Sequence, residues 1–277
     1  MATRGTIGGV KRRGVWRVAL VAALAVLATG VGSWFVLTSH RPGEGGFGRA
    51  AVAAPSFSGA SSPAPAPQPV QQAPAVTPTL IATLSAQTPY SSQPGGPPVG
   101  NLPADNPFGA PTVLAIVGQP DASGWAQVEL PIRPNGSTGY IQTGDGTGVS
   151  LTETTYSVKV SLAADTLTVM NGNDVVMTVP AAVGAPRTPT PPDHTYLWEL
   201  IRPDNPSGAY GPYIFGLAEF SDAYSVFNGG DAQIGIHGQN EPWSIGHPVS
   251  HGCVRLDNGV ITQLANLLPL GTPVTIS

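Results

Sequence analysis

The sequence contains very little cysteine and little charge. Cys253 is the single cysteine among 277 residues, so the chain has no pair of cysteines of the kind that structural zinc sites use. Lysine and arginine together number 12, and only five of them lie beyond residue 49, where 15 of the 16 acidic residues are found. This acidic part lacks the clustered basic side chains that phosphate binding requires. The composition argues against a nucleic-acid partner, and we expect no metal or other cofactor.

The first 38 residues have the pattern of a membrane anchor. Residues 1–17 contain five basic residues and no acidic one, and the 21 residues from 18 to 38 are uncharged and apolar. A helix of that length would measure roughly 31 Å, close to the hydrocarbon thickness of about 30 Å. The basic excess predicts a cytoplasmic N-terminus (1–17), a transmembrane signal anchor (18–38) and a single-pass membrane protein whose remainder faces the cell wall. A cleaved signal peptide, which would leave a secreted protein, is the alternative.

The next segment is dominated by proline, alanine, serine, glutamine and glycine. Residues 39–107 contain hardly any charge and no sustained apolar periodicity, so this composition predicts a disordered linker. Such a tether would let a membrane-anchored domain reach into the cell wall.

The remaining residues, 108–277, suit one domain of ordinary size, and their pattern is mostly that of strands. Residues 167–179 alternate around Asn171 and Gly172, which predicts a β-hairpin. Asp257 is placed to cap one short helix over residues 258–268, and a last strand follows at 273–276. We therefore expect a mainly β fold, a sandwich or barrel with one short C-terminal helix.

Two histidines lie near the cysteine in sequence. His237 ends an apolar run, and His251 stands two positions before Cys253. A thiol attacks only as thiolate, and its ordinary pKa near 8.5 leaves little of it ionised at neutral pH without a neighbouring base. The pattern predicts a cysteine nucleophile with a histidine base, and either histidine is placed to serve.

The pair His237-Gly238 followed by residues 250–256 (SHGCVRL) resembles the signature of the L,D-transpeptidases, whose YkuD-type catalytic domain cross-links peptidoglycan. The resemblance extends over most of residues 110–277, with one departure at Pro192, where the family often has glycine. It implies that the Cys253 thiolate, activated by His237, is acylated at the L-centre carbonyl of the diamino acid in a tetrapeptide stem. D-alanine would leave, and an amine of a second stem would complete a 3→3 cross-link. It also implies carbapenem β-lactams as covalent inhibitors.

Other residues are candidates for supporting roles. The turn Ser250, His251 and Gly252 could hold the oxyanion or stabilise the loop, and for His251 both roles stay open. Arg255 could bind a substrate carboxylate or hold the loop by an ion pair. Tyr210, Tyr213 and Trp243 could line a substrate groove or belong to the core.

Two further functions remain compatible with these residues. In an L,D-carboxypeptidase or other hydrolase on the same scaffold, water would resolve the same acyl-enzyme. A non-catalytic wall-binding module would not need the thiol at all. For a tethered enzyme of this kind we expect a monomer.

Overall fold

The structure is a computed structural model that describes residues 75–277. Seven short strands form its first part. We call residues 75–154 the N-terminal β module. Its strands are β1 (Thr79–Leu84), β2 (Thr88–Ser91), β3 (Pro98–Leu102), β4 (Val113–Ala115), β5 (Trp125–Glu129), β6 (Thr138–Gln142) and β7 (Val149–Thr154). They build two antiparallel sheets, of order β4-β1-β7 and β3-β2-β6-β5. Side chains of β5 alternate between the two faces of the strand, which buries Ala126 and Val128. These two residues pack in a hydrophobic core formed by residues of the module.

The linker predicted over residues 39–107 is wrong in its last part, because β1, β2 and β3 lie there. Composition misled because each strand is only four to six residues long and supplies few apolar side chains. Leu84 and Leu102 are buried against Val128 and Ile141, which come from later strands of the module. Residues 39–74, like the predicted cytoplasmic segment and anchor at 1–38, lie outside the described residues.

The predicted start of the folded domain at residue 108 is also wrong, because it falls inside the module. The apolar run at 113–117 contains β4, which pairs with β1 rather than with any strand of the C-terminal part. A second core begins with Val158 and continues to Ile276, so residues 155–277 form a C-terminal domain with its own hydrophobic interior.

An eight-stranded mixed sheet dominates the C-terminal domain. Its strand order is β10-β9-β8-β17-β12-β13-β14-β16, and β11 and β15 form a separate parallel pair. The strands are β8 (Tyr156–Ser161), β9 (Thr166–Asn171), β10 (Asp174–Pro180), β11 (Val183–Gly184), β12 (His194–Ile201), β13 (Ile214–Phe220), β14 (Gln233–His237), β15 (Pro248–Ser250), β16 (Val254–Arg255) and β17 (Pro273–Ile276). A short 3₁₀-helix spans Pro242–Ser244.

Two local predictions are confirmed. Strands β9 and β10 form the expected hairpin, with Asn171 paired to Asp174 and Gly172 at φ +60° in the turn. The helix α1 (Asn258–Leu267) begins where the Asp257 carboxylate accepts a hydrogen bond from the Gly259 N–H at 2.7 Å. Its apolar side, including Ile261 and Leu264, is buried in the core of the C-terminal domain. The mainly β fold with one short C-terminal helix is thus confirmed over the described residues.

Across residues 75–277, no helix has both the length and the apolar character needed to cross a membrane.

Candidate active site

The parallel pairing of two short strands brings the predicted nucleophile and base together. His237 is the last residue of β14, and Cys253 immediately precedes β16. The register joins Ile236 to Val254 and His237 to Arg255, so Cys253 lies beside Gly235, two residues before His237 on β14. Both side chains line one cavity of about 460 Å³. Two residues that are far apart in sequence therefore share one site because the edge strand β16 adds to β14.

His237 is buried and held in one orientation. Its side chain is 3% exposed, and its Nδ1 lies 2.5 Å from the Gly238 carbonyl oxygen. A carbonyl oxygen can only accept, so Nδ1 carries the proton and Nε2 is left as the basic nitrogen. The Tyr210 ring meets the imidazole edge-on at 4.9 Å between centroids. Burial lowers the pKa of His237 to about 4; the Gly238 hydrogen bond opposes this and the Arg255 charge adds to it.

Cys253 is partly buried and reaches the cavity. Burial raises the pKa of its thiol above the ordinary value, while a backbone hydrogen bond from Gly235 and the positive charge of Arg255 act in the opposite direction. With the thiol pKa raised and the imidazole pKa lowered, both groups are neutral at pH 7. Both shifts favour a thiol and a neutral imidazole over a thiolate–imidazolium ion pair.

Ser250 and Gly252 fix the turn that carries the thiol. The buried Ser250 hydroxyl donates to the Cys253 carbonyl at 2.6 Å and accepts from the Gly252 N–H at 3.1 Å. Gly252 has φ +118°, and a Cβ at this position would lie 3.0 Å from Ile234 Cδ1. Because that backbone region disfavours residues with a Cβ, glycine is required here.

Of the other candidate residues, some line the cavity and others lie outside it. Tyr210 lines the cavity, and its hydroxyl accepts from Asn228 Nδ2 at 3.0 Å. His251 is exposed and packs against the Phe227 ring, 5.6 Å between centroids. Trp243, on the 3₁₀-helix, is 64% exposed and outside this cavity.

Arg255 and Tyr213 also lie outside the cavity that holds Cys253. The Arg255 guanidinium forms an ion pair with Glu241 at 2.9 Å. Tyr213 packs against the core of the C-terminal domain, with the Arg202 guanidinium 5.3 Å from its ring centroid. Of the two roles open to Arg255, the contacts favour the structural one.

Sequence reasoning missed several cavity residues. Glu199, on β12, is 1% exposed, and neither carboxylate oxygen has a hydrogen-bond partner among the described residues. Burial raises the pKa of Glu199 to about 7; the nearby Gln233 amide lowers it and Asp231 raises it further. A glutamate inside the apolar strand sequence HTYLWELI was the available signal. Phe108 and Pro131, from the N-terminal β module, also line the cavity, and nothing in their local sequence marked them.

No group of three histidine, cysteine, aspartate or glutamate side chains within residues 75–277 is arranged to hold a metal ion.

In this β domain, a cysteine and an oriented histidine share one cavity. This arrangement is typical of the class of enzymes that use a cysteine nucleophile. Residues 155–276 match the family model of the L,D-transpeptidase catalytic domain, YkuD. This segment of the chain belongs to the L,D-transpeptidase catalytic domain family.

Individual proteins show the same likeness. The L,D-transpeptidase YkuD of Bacillus subtilis (strain 168) is 39% identical over 122 residues, which cover 44% of this chain and 66% of that protein. The chain therefore spans slightly less than two thirds of this relative. L,D-transpeptidase 3 from Mycobacterium tuberculosis, solved in complex with a faropenem-derived adduct, is 16% identical with a TM-score of 0.37; the match covers 60% of this chain and 91% of that one. The L,D-transpeptidase LdtMt1, solved in complex with imipenem, is 16% identical with a TM-score of 0.40 and the same coverages.

Proposed function

We propose that this protein is a peptidoglycan L,D-transpeptidase with Cys253 as nucleophile and His237 as general base. The observation that carries the proposal is the shared cavity, which is lined both by an imidazole whose Nδ1 is fixed by a carbonyl and by the chain's single thiol. Membership of residues 155–276 in the family supplies the substrate class, peptidoglycan stem peptides.

The chemistry follows from the protonation states. His237 Nε2 takes the proton from the Cys253 thiol as sulfur attacks the carbonyl of the stem diamino acid. The bond from that carbonyl carbon to the D-alanine nitrogen breaks, and His237 returns the proton to the leaving amine. The acyl group is then held as a thioester. An amine of a second stem attacks the thioester, loses its proton to His237, and releases the thiol with a new amide formed.

The tetrahedral oxyanion needs N–H donors aimed at it. The Gly252 N–H is already engaged by Ser250 Oγ, so we assign the oxyanion to the N–H of Cys253 itself rather than to Gly252. Ser250 acts on this donor indirectly, because its hydroxyl fixes the Cys253 carbonyl and so the peptide planes of the turn.

The place of action is part of the same proposal. The predicted anchor at residues 18–38 would hold the catalytic domain outside the cytoplasmic membrane, facing the cell wall where stem peptides are found. We also propose that carbapenem β-lactams acylate Cys253, because their strained carbonyl resembles the scissile amide.

The test is mass spectrometry of the full-length chain incubated with a disaccharide-tetrapeptide containing meso-diaminopimelate, with Cys253→Ala as the control. A dimer lacking one D-alanine, formed by the unchanged protein and absent with the variant, is the expected product. A tripeptide alone would mean that water resolves the acyl-enzyme and the protein is a carboxypeptidase. The absence of both products, together with no mass gain on imipenem, would leave a wall-binding module.

A further inference from the structure

The roof of the catalytic cavity is a loop with few internal contacts. Residues 221–232 connect β13 to β14, and we call residues 221–231 of this connection the roof loop. Phe227, Asn228 and Asp231 of the loop line the cavity. Most of the loop is exposed. Within the loop, Phe227 and Gly230 exchange backbone hydrogen bonds at 2.9 and 3.0 Å, and the Ser221 hydroxyl accepts from the Ala223 and Tyr224 N–H groups at 3.2 Å. At its base, the Ser221 N–H donates to the Ala232 carbonyl at 2.9 Å. A segment with so little buried apolar surface and so few hydrogen bonds of its own opens at low free energy unless something else holds it.

A side chain from the N-terminal β module makes three contacts with this loop. The Arg133 guanidinium donates to the carbonyls of Ser221 at 3.1 Å, Tyr224 at 3.0 Å and Asp231 at 3.0 Å. These carbonyls come from the beginning, middle and end of the roof loop. The guanidinium carbon also lies 5.1 Å from the centroid of the Phe220 ring, which ends β13. One planar group with five donors thus joins both ends of the loop, a task for which the single ammonium of lysine is poorly shaped.

Asn135, two residues further on, secures the last residues of β13, immediately before the loop. Its Oδ1 accepts from the Phe220 N–H at 3.0 Å and its Nδ2 donates to the Phe220 carbonyl at 2.9 Å. Nδ2 also donates to the Glu219 carboxylate. This side chain meets both polar backbone groups of Phe220 as a paired strand would, at the point where the β13–β14 pairing loses its regular register.

We propose that Arg133 and Asn135 are positioning residues for the active site, and that the N-terminal β module is a part of the catalytic unit rather than a spacer. The two side chains hold the roof loop over Cys253 and His237, and Phe108 and Pro131 of the same module complete the cavity wall. Only the turnover measurement below rests on the proposed function; the structural measurements need no substrate.

The test compares Arg133→Ala, Asn135→Ala and the double variant with the unchanged full-length chain. Hydrogen–deuterium exchange of peptides covering residues 221–231 should become at least about fivefold faster in Arg133→Ala, the change expected from the net loss of one ordinary hydrogen bond, and faster still in the double variant. Peptides from β12 and β14 should keep their rates. Lys159→Ala is the matched control, because it removes an exposed positive charge from β8.

Alkylation of Cys253 by iodoacetamide, followed by intact mass, gives a second readout, and should be faster in the variants because the roof is looser. With stem peptide as substrate, KM should rise several-fold and kcat change little, with Arg133→Lys between the two extremes. Unchanged exchange of the roof loop in the double variant would overturn the proposal. Equally faster exchange in β12 and β14 would also overturn it, because these contacts would then support the whole domain and not the loop.

Discussion

The floor and the roof of the catalytic cavity are built in opposite ways. The floor consists of β12, β13 and β14, with the edge strand β16 beside them, and its residues Gly235 and Ile236 are buried in a regular ladder. The roof loop is mostly exposed, and Arg133 from the N-terminal β module contacts its beginning, middle and end, while Asn135 holds the adjoining Phe220. The proposed reacting groups lie on the floor, with His237 at the end of β14 and Cys253 directly before β16.

This division shows which tasks need rigidity. Proton transfer requires heavy atoms held within hydrogen-bond reach, so the base and the thiol are fixed by strands and by the Ser250 hydroxyl. A peptide stem must enter and leave, and a loop that opens at low free energy allows this. Substitutions in the floor should therefore have the largest effects on activity.

The largest effect is expected at the base. His237→Asn should lower the rate of acylation by imipenem about 10²–10⁴-fold, the usual contribution of a general base. Because burial lowers the pKa of His237 to about 4, acylation by the unchanged protein should stay level as pH falls to about 5 and decline only near 4. A base with an ordinary pKa near 6.5 would already be half lost at pH 6.5.

Time-resolved intact mass measurement across this pH range checks both statements. The same substitution at the exposed His247 is the control, and it should leave the rate unchanged. A decline centred near pH 6.5 would contradict the buried, neutral base.

The turn beneath the thiol should be the next most sensitive point. Gly252→Ala introduces a Cβ 3.0 Å from Ile234 in a backbone with φ +118°, so we expect the free energy of unfolding to fall by about 1–3 kcal/mol. Gly246→Ala is the matched control, since Gly246 also has a positive φ, +82°, but has nothing within 4 Å of the added atom. Chemical denaturation of both variants measures the difference. Equal losses would show that backbone strain, and not the contact with the floor, sets the requirement.

Glu199 offers a smaller and pH-dependent test of the floor. Its folded pKa of about 7 exceeds the ordinary 4.5, so the fold favours the protonated form. The stabilising contribution is fully present below pH 4.5 and is lost as pH rises through 7. Glu199→Gln, which keeps the shape without the charge, should raise Tm at pH 8 by about 2–4 °C and change it little at pH 4. Thermal melts at the two pH values decide, and an equal shift at both would mean that the charge is not responsible.

The C-terminal domain was largely predictable because its signals are local. The Asn171-Gly172 turn and the Asp257 cap act through hydrogen bonds and dihedral angles within a few residues, and both were found from sequence. The motif around Cys253 marks the candidate nucleophile for a chemical reason, because a thiol needs a base. Contacts between residues that are distant in sequence could not be predicted. The burial of Leu84 depends on Ile141, and the contact of Arg133 with Tyr224 joins residues 91 positions apart.

Arg255 illustrates the same limit on a single side chain. Its place two residues after Cys253 was compatible with substrate binding and with loop support, and the deciding partner, Glu241, stands 14 positions earlier. The smallest effect we expect follows from this ion pair. Glu241 is largely exposed, so Glu241→Gln should change the free energy of unfolding by less than about 1 kcal/mol.

Chemical denaturation at low and at high salt measures this contribution, which should shrink further as salt screens the pair. The same variant frees the Arg255 guanidinium, whose charge lowers the pKa of both Cys253 and His237. The rate of acylation by imipenem should remain within about twofold of the unchanged protein, because an exposed ion pair is worth so little. A large loss of acylation with stability unchanged would instead mean that Arg255 acts directly in acylation. Substrate binding by Arg255, which its contacts do not support, would then have to be considered again.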